Sequence, residues 1–137
     1  MYLRIGQNAI IMKLRCTENS IRLRLRKSDI TALAEHGKIR ETVQFPTTQS
    51  LSFELRLSPV NEISAALDQA TIIVDVPQEA GKDWINSNQV GIEKELSLTS
   101  NASLHILIEK DFPCKDRPDE DKSDTFEELA SEEGAAC

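Results

Sequence analysis

The sequence predicts an α+β domain in which one β-β-α-β-β unit occurs twice, giving eight strands and two helices. Three observations lead to this prediction. Apolar and polar residues alternate along most segments, which is typical of strands buried on one face. Two segments have the apolar spacing and the terminal residues of short helices. The apolar positions of the second half also follow those of the first at one offset of 51 residues, with no gap. Such repeats share a core, while their polar faces are free to differ.

The first unit contains four alternating segments and one helix. Its predicted strands are residues 12–17, 20–27, 38–45 and 51–57. Ser28 is predicted to cap the helix, because its hydroxyl can accept a hydrogen bond from an N–H group of the first turn. Leu33 lies on the apolar stripe of this helix, and Gly37 is typical of a helix C-terminus. Pro46 then ends the third strand, since proline has no N–H group to donate.

The second unit repeats this order. Its predicted strands are residues 63–67, 71–76, 89–98 and 103–110. Pro77 favours the start of the helix, which we expect to run to about residue 86. At the offset of 51 residues, the pairs of equivalent core positions include Leu23 and Val74, Leu33 and Trp84, Ile39 and Val90, and Phe53 and Leu104. We expect the strands to form a mostly antiparallel curved sheet, or a closed or split barrel, with the two helices packed against it.

Charge divides the chain into three parts. Residues 1–40 carry nine Lys/Arg and three Asp/Glu, residues 41–110 carry four and ten, and residues 111–137 carry three and ten. The net charge of −7 therefore resides in the last part. We predict an N-terminal extension over residues 1–11, with Met12 as an alternative start. A single domain over residues 12–112 follows, and then a largely disordered acidic tail over residues 113–137.

Composition also excludes several classes of partner. The domain without its tail is neutral, so general nucleic-acid binding is not expected. No apolar run approaches the roughly 20 residues of a membrane span, and no segment has the pattern of a signal peptide. The three cysteines, Cys16, Cys114 and Cys137, have no close spacing and do not form a disulfide framework. We therefore expect a cytoplasmic protein that does not associate with a membrane.

The polar faces of the two units differ in the sign of their charge. In the first unit, period-two alternation predicts one face with a set of candidate anion-binding cations: Lys13, Arg15, Arg22, Arg24, Arg26 and Arg40, together with Lys38. In the second unit the same face carries carboxylates, of which Glu93 and Glu95 are candidate ligands for Mg²⁺ or Mn²⁺. Two interpretations remain open. The face is either solvent-exposed, with cross-strand ion pairs, or it lines a groove or lumen that holds an anion.

At the level of the fold, this arrangement resembles the triphosphate tunnel metalloenzymes. Their barrels bind triphosphate with magnesium or manganese, and they carry a Glu-x-Glu-x-Lys strand near the N-terminus. Here the corresponding pattern is absent near the start, and the pair Glu93 and Glu95 is followed by Ser97 in place of lysine. The resemblance therefore implies a fold and no catalytic signature.

A second resemblance rests on three blocks of residues. They are residues 19–25 with Lys27-Ser28, Trp84 with residues 89–91, and residues 108–112 followed by Cys114, Asp116, Glu120-Asp121 and Ser123-Asp124. In combination these blocks are similar to an uncharacterised family of small bacterial proteins, a domain of unknown function, from about residue 12 to residue 124. That family implies no activity.

The sequence favours a small binding or interaction protein over an enzyme. Its expected partner is an unknown anionic ligand or an acidic protein segment on the Arg-rich sheet face. The alternatives are a metal-dependent phosphoryl or triphosphate hydrolase and a structural module without a small-molecule ligand. We also predict that the acidic tail folds back over Arg22, Arg24 and Arg26 and competes there with an external anion, because the attraction between them is electrostatic.

Overall fold

A computed structural model describes residues 12–99, 101–112 and 123–129. Within them the predicted order of elements is confirmed. The elements are β1 (Lys13–Thr17), β2 (Ser20–Leu25), α1 (Lys27–His36), β3 (Lys38–Gln44), β4 (Ser50–Ser58), β5 (Ser64–Asp68), β6 (Thr71–Pro77), α2 (Gln78–Ile85), β7 (Gly91–Ser97) and β8 (Ser103–Lys110). The N-terminal extension, most of the tail, Cys114 and Cys137 lie outside the described residues. Neither of the two described helices has the length and apolarity that crossing a membrane requires.

The eight strands form two open four-stranded sheets, so the α+β, mostly antiparallel class is confirmed, and the described strands do not close a barrel. Sheet I has the order β1-β2-β8-β7, and sheet II has the order β3-β4-β6-β5. Each sheet consists of two antiparallel hairpins that are joined by a parallel pair in the middle. Each unit thus gives its first hairpin to one sheet and its second hairpin to the other.

The strand register confirms the duplication and corrects its offset. The pair Lys13 and Arg24 in β1–β2 corresponds to Ser64 and Asp75 in β5–β6, an offset of 51 residues. The pair Ile39 and Leu55 in β3–β4, however, corresponds to Ile92 and Ile108 in β7–β8, an offset of 53 residues. The prediction of one offset without a gap is therefore wrong for the second hairpin.

The two additional residues lie in the loop between α2 and β7. This loop covers residues 86–90, whereas Gly37 alone separates α1 from β3, and two of the four further loop residues are accounted for because α2 is two residues shorter than α1. An insertion of two residues leaves every side chain on its original face, because strand side chains alternate with period two. The apolar pattern consequently continues across the insertion. The structural equivalent of Phe53 is Ile106, not Leu104, and both Phe53 and Ile106 are buried.

One hydrophobic core is shared by both sheets and both helices. It contains a single cluster of buried side chains: Met12, Leu23, Leu25, Ile30, Leu33, Ile39, Phe53, Leu55, Ile63, Val74, Val76, Trp84, Ile106 and Ile108. The predicted equivalence of Leu33 and Trp84 is confirmed, since each is the fully buried apolar residue of its helix. The indole Nε1 of Trp84 donates a hydrogen bond to the carbonyl of Val90 at 3.0 Å, which satisfies the polar atom of this side chain.

Helix α1 begins two residues earlier than the sequence indicates. Its N-cap is Arg26, and Ser28 lies inside the first turn. The backbone N–H of Arg26 donates to the carboxylate of Asp29 at 2.8 Å, which fixes the entry of the chain into the helix. The predicted C-terminus is confirmed, because Gly37 adopts a left-handed conformation with φ of 79° and donates its N–H to the carbonyl of Leu33.

An ion pair occurs at the same position of both sheets with its charges exchanged. In sheet I, Arg24 on β2 lies beside Glu109 on β8. In sheet II the equivalent residues are Asp75 on β6 and Arg56 on β4, and the guanidinium of Arg56 donates to both oxygens of Asp75 at 2.9 and 3.2 Å. The Ser58 hydroxyl also donates to Asp75, at 2.6 Å. In each sheet, an Arg–carboxylate ion pair thus connects the two central parallel strands.

We predict that truncation of one buried side chain on a central strand of either sheet destabilises the whole domain. Leu23→Ala and Leu55→Ala should each lower the free energy of unfolding by about 2–5 kcal/mol, because both side chains are fully buried in the shared core. Leu67→Ala is the matched control, since Leu67 is 72 % exposed and should change stability by less than about 0.5 kcal/mol. Chemical denaturation measures all three. Equal effects at Leu23 and Leu67 would contradict the assigned core.

We also predict a pH dependence from the ion pair in sheet II. Burial raises the pKa of Asp75, but the hydrogen bonds from Arg56 and Ser58 and the charge of Arg56 outweigh burial and lower it overall. The carboxylate therefore stabilises the fold above the pKa of the unfolded chain, and this stabilisation disappears as the pH falls through the folded-state pKa.

The test compares wild type with Asp75→Asn. The difference in unfolding free energy between them should be constant near neutral pH and should shrink as the pH falls below about 4, the ordinary range for aspartate. In an Arg56→Gln background the pH dependence of this difference should become much smaller. A difference that is independent of pH in both backgrounds would disprove the role of the pair.

Candidate functional site

The structure brings five of the six predicted anion-binding residues to one end of sheet I and the start of α1. Lys13 and Arg15 on β1 lie opposite Arg24 and Arg22 on β2, and all four occupy the sheet face away from the core. Arg26 follows directly as the N-cap of α1. We call this group, together with Lys27, the basic cluster.

Arg40 lies elsewhere, because the second hairpin of the first unit belongs to sheet II. There its Nη1 donates to Glu54 at 3.1 Å, and Glu54 also lies within 3.7 Å of Arg56. Lys38 belongs to the same strand as Arg40. The sequence identifies these cations as one face of one unit, but it does not show that the unit is divided between two sheets.

Carboxylates from the end of β8 face the basic cluster. Glu109 is the direct neighbour of Arg24 in the parallel pairing of β2 and β8. It accepts a hydrogen bond from Arg22 Nε at 2.6 Å and lies 3.3 Å from Arg24 Nε. The next carboxylate, Asp111, lies 3.1 Å from Lys13 Nζ and 3.3 Å from Arg24 Nη2. Both carboxylates are buried, so they compensate these cations more strongly than surface pairs would.

Arg24 is held on three sides and still has one unsatisfied donor. Its guanidinium lies between Glu109 and Asp111, and its Cζ is 5.5 Å from the centroid of the Phe112 ring. Its Nε is buried and makes no hydrogen bond to any of the described residues. A buried N–H group without an acceptor is unfavourable by about 1–3 kcal/mol.

The tail residue Asp124 binds at the N-terminus of α1. Its carboxylate accepts hydrogen bonds from the backbone N–H of Ser28 at 3.0 Å and from the Ser28 hydroxyl at 2.6 Å. Arg26 Nε lies 3.1 Å from the same carboxylate, and the backbone N–H of Lys27 donates to the Asp124 carbonyl. Helix N-termini favour anions because the first N–H groups have no partner within the helix. Asp124 therefore occupies a binding site for a carboxylate.

The rest of the described tail extends this contact. Phe126 donates its N–H to the carbonyl of Asp111 at 2.8 Å and packs against the hydrophobic core, and Thr125 is buried. Glu128 lies 3.6 Å from Lys27. Residues 123–129 thus contact the domain through two carboxylates and one aromatic ring. These contacts include Arg26 and Lys27 of the basic cluster but neither Arg22 nor Arg24.

The tail supplies half of the carboxylates that pair with the basic cluster. Among the described residues, five cations of the basic cluster form ion pairs with four carboxylates, which are Glu109, Asp111, Asp124 and Glu128. Two of the four belong to the tail. Without the tail, six cations would face two carboxylates, and the first N–H groups of α1 would lose their acceptor.

The candidate metal ligands Glu93 and Glu95 lie on the outer face of β7, the edge strand of sheet I. Glu93 lies 3.0 Å from His105 Nε2, and Glu95 accepts a hydrogen bond from the Ser103 hydroxyl at 2.7 Å. On the same face, Leu107 separates Glu93 from Arg22. No group of three or more potential metal ligands occurs in the described part of the chain. The face that carries both sets of charges is the surface of an open sheet, not a lumen.

A cavity of about 610 Å³ lies beside the tail, next to a buried lysine. Its walls come from Ile85 and residues 86–88 on one side and from Phe126, Glu128 and Leu129 on the other, with Lys110 between them. Sequence reasoning missed both Lys110 and the role of Asp124. Alternation does place Lys110 on the core side of β8, and this is the one signal that could have identified it.

We predict that Glu109 contributes more to stability than an exposed carboxylate of the same sheet. Glu109→Gln would remove the negative charge that faces the partly buried guanidinium groups of Arg22 and Arg24. The loss of unfolding free energy should exceed the ~1 kcal/mol limit of surface pairs and approach about 3–5 kcal/mol, which is typical when one partner of a buried pair is removed. Glu93→Gln is the control, because the Glu93 side chain is 64 % exposed. Similar losses for the two variants in urea denaturation would contradict this.

Comparison with known proteins gives one match. No curated protein and no solved structure matches the chain. A family model covers residues 12–129, which include both sheets and the tail segment that packs against α1. The expected resemblance to an uncharacterised family is thereby confirmed. The chain belongs to the family of unknown function DUF7009.

Proposed function

We propose that this protein is a small cytoplasmic binding module that recognises an acidic protein segment at its basic cluster. In the resting state its own tail occupies the site. The bound partner supplies at least one carboxylate to the N-terminus of α1, where it replaces Asp124. The resemblance to small bacterial proteins makes a bacterial cytoplasm the expected setting, and the exposed Cys16 is compatible with reducing conditions.

The observation that carries this proposal is the binding of Asp124. Two donors of Ser28 and the guanidinium of Arg26 converge on one carboxylate, within 2.6–3.1 Å. A serine hydroxyl, a free helical N–H and an arginine are the groups that recognise oxyanions in general. Because the ligand is part of the tail, an acidic segment from another protein can supply the same groups in the same geometry.

The charge of the cluster favours an acidic segment over a single small anion. Once Asp124 and Glu128 leave, Arg26 and Lys27 lose their carboxylate partners together. One small anion would compensate only one of these positions. A peptide with carboxylates at the spacing of residues 124 and 128 compensates both, and its binding should weaken as salt rises.

The metal-dependent hydrolase receives less support from the geometry. Glu93 and Glu95 each interact with a neighbouring side chain, and the apolar Leu107 separates Glu93 from Arg22.

The test uses a fluorescent peptide with the sequence of residues 123–129, added to the full-length chain. Asp124→Ala should strengthen peptide binding by about 2- to 30-fold, because loss of such a cap weakens the docked tail by about 0.5–2 kcal/mol. The gain should decrease as the salt concentration rises.

Two controls isolate the site. Glu93→Gln removes a negative charge from the far edge of sheet I and should leave peptide binding close to that of wild type. Arg26→Gln combined with Ser28→Ala, introduced into the Asp124→Ala chain, should abolish the gain. If Asp124→Ala and Glu93→Gln behave alike at all salt concentrations, the proposal is wrong.

A further inference from the structure

The tail binds the domain through an aromatic ring as well as through its carboxylates. Phe126 packs against the hydrophobic core, and its backbone N–H donates to the carbonyl of Asp111 at 2.8 Å. The centroid of its ring lies 5.4 Å from Nζ of Lys110 and 5.8 Å from Nζ of Lys27. An ammonium group within about 6 Å of a ring centroid is attracted by the electrons of the ring. Phe126 therefore occupies a slot that is lined by Lys27 and Lys110, which we call the aromatic slot.

Lys110 is an unusual residue at this position because it is 1 % exposed. Lysine is almost never fully buried without a charged partner, and Lys110 forms no ion pair with a described residue. Its Nζ donates to the carbonyl of Ser87 at 2.7 Å and lies 5.9 Å from the centroid of the Trp84 ring. One carbonyl and the rings of Trp84 and Phe126 thus take the place of water around this amine. The tail ring and the buried ammonium group stabilise each other.

The duplication shows that packing does not require a lysine at this position. The residue of β4 that corresponds to Lys110 is Leu57, and their backbone N–H groups donate to corresponding loops, at Val90 and Gly37 respectively. Leu57 packs against Gly81 of α2 so closely that a Cβ at residue 81 would clash with its side chain. An apolar side chain is thus compatible with this position of the fold. At residue 110 the tail ring covers the position, whereas after β4 the chain continues towards β5.

Backbone hydrogen bonds fix the spacing between the tail carboxylate and the ring. The carbonyl of Asp124 accepts from the N–H of Lys27 at 3.2 Å. Two residues later, the N–H of Phe126 donates to the carbonyl of Asp111. Thr125 between them is 4 % exposed, so a bulkier side chain at this residue would overpack the contact. A segment that caps α1 with a carboxylate therefore presents the second following residue to the aromatic slot.

We infer that the aromatic slot determines the specificity of the site, so that the partner segment carries a carboxylate, then one small residue and then an aromatic residue. This inference rests on the proposed function, because it describes the segment that replaces the tail. The carboxylate binds at the N-terminus of α1, and the ring takes the position of Phe126 beside Lys27 and Lys110. An acidic segment without such a ring is attracted to the basic cluster but lacks the contact with the slot.

The test compares fluorescent peptides on a full-length chain with Asp124→Ala and Phe126→Ala, in which the tail has lost both anchors. The peptide of residues 123–129 should bind at least about 10-fold more tightly than the same peptide with Phe126→Ala, because buried aromatic anchors contribute most to such contacts. The matched control is a peptide with Glu127→Gln, since Glu127 is exposed and forms no ion pair with a described residue. Its affinity should stay within about 3-fold of the unchanged peptide.

A peptide with cyclohexylalanine at residue 126 separates the effect of the ring electrons from that of burial, because this side chain is similar in size to phenylalanine but is not aromatic. It should bind about 2- to 30-fold more weakly than the phenylalanine peptide, which corresponds to a cation–π contribution of about 0.5–2 kcal/mol. Adding Lys110→Met to the chain should reduce this difference, since it removes one of the two ammonium groups beside the ring. Leu57 at the corresponding position indicates that methionine is compatible with folding.

Amide hydrogen exchange tests the slot without any peptide. The N–H of Ser28 donates to the Asp124 carboxylate at 3.0 Å when the tail is bound. Phe126→Ala, as the single change in the chain, should therefore accelerate exchange of the Ser28 amide several-fold, whereas Glu127→Gln should leave it unchanged.

The outcomes distinguish this inference from the proposed function. If peptides bind in a salt-dependent way but the phenylalanine peptide has the same affinity as its alanine or cyclohexylalanine counterpart, the inference is wrong and the proposed function stands. Unchanged exchange of the Ser28 amide in the Phe126→Ala chain would also overturn the inference alone. If no peptide binds, the proposed function is wrong and the inference falls with it.

Discussion

The parallel pairing of β2 with β8 determines where the charged contacts of the basic cluster form. Because the two strands run in the same direction, the end of β8 lies beside the start of α1, and the N–H of Asp111 donates to the carbonyl of Leu25 at 2.7 Å. Glu109 and Asp111 reach the arginines of β2 for this reason. The tail leaves β8 at the same place, which brings Asp124 within reach of α1. An antiparallel pairing would direct the tail to the opposite end of the sheet.

The two halves share a scaffold but not its electrostatics. In sheet II the strand that corresponds to β8 is β4, and the chain after it continues through residues 59–63 into β5. Helix α2 starts after Pro77, which has no N–H group, and no side chain caps it. The corresponding start of α1 binds a carboxylate. Duplication thus gives two equivalent helix N-termini, at the starts of α1 and α2. The start of α1 alone of these two combines helical N–H donors, a cluster of arginines and an anionic tail segment.

Sequence reasoning could predict the elements and the core, because alternation directly reports which face of a strand is buried. It could not predict the partner of each strand, since alternation contains no information about neighbours. The two-residue insertion before β7 could not be detected either, because it leaves the two-residue alternation of apolar and polar side chains unchanged. The basic cluster was predictable on β1 and β2, where Lys13, Arg15, Arg22 and Arg24 alternate with apolar residues. The contacts of Asp124 depend on a parallel pairing across the whole domain, so no local pattern indicates them.

The exchange of hairpins between the units also determines the order in which the protein can assemble on the ribosome. Sheet II requires only residues up to 77, whereas sheet I joins β2, near the start of the domain, to β8 near its end. Synthesis releases N-terminal segments first, and pairing across a long stretch of chain is slow because of its loop-closure entropy. The nascent chain therefore exposes the apolar face of β1 and β2 until residue 110 has emerged, and a chaperone would encounter this hairpin in particular.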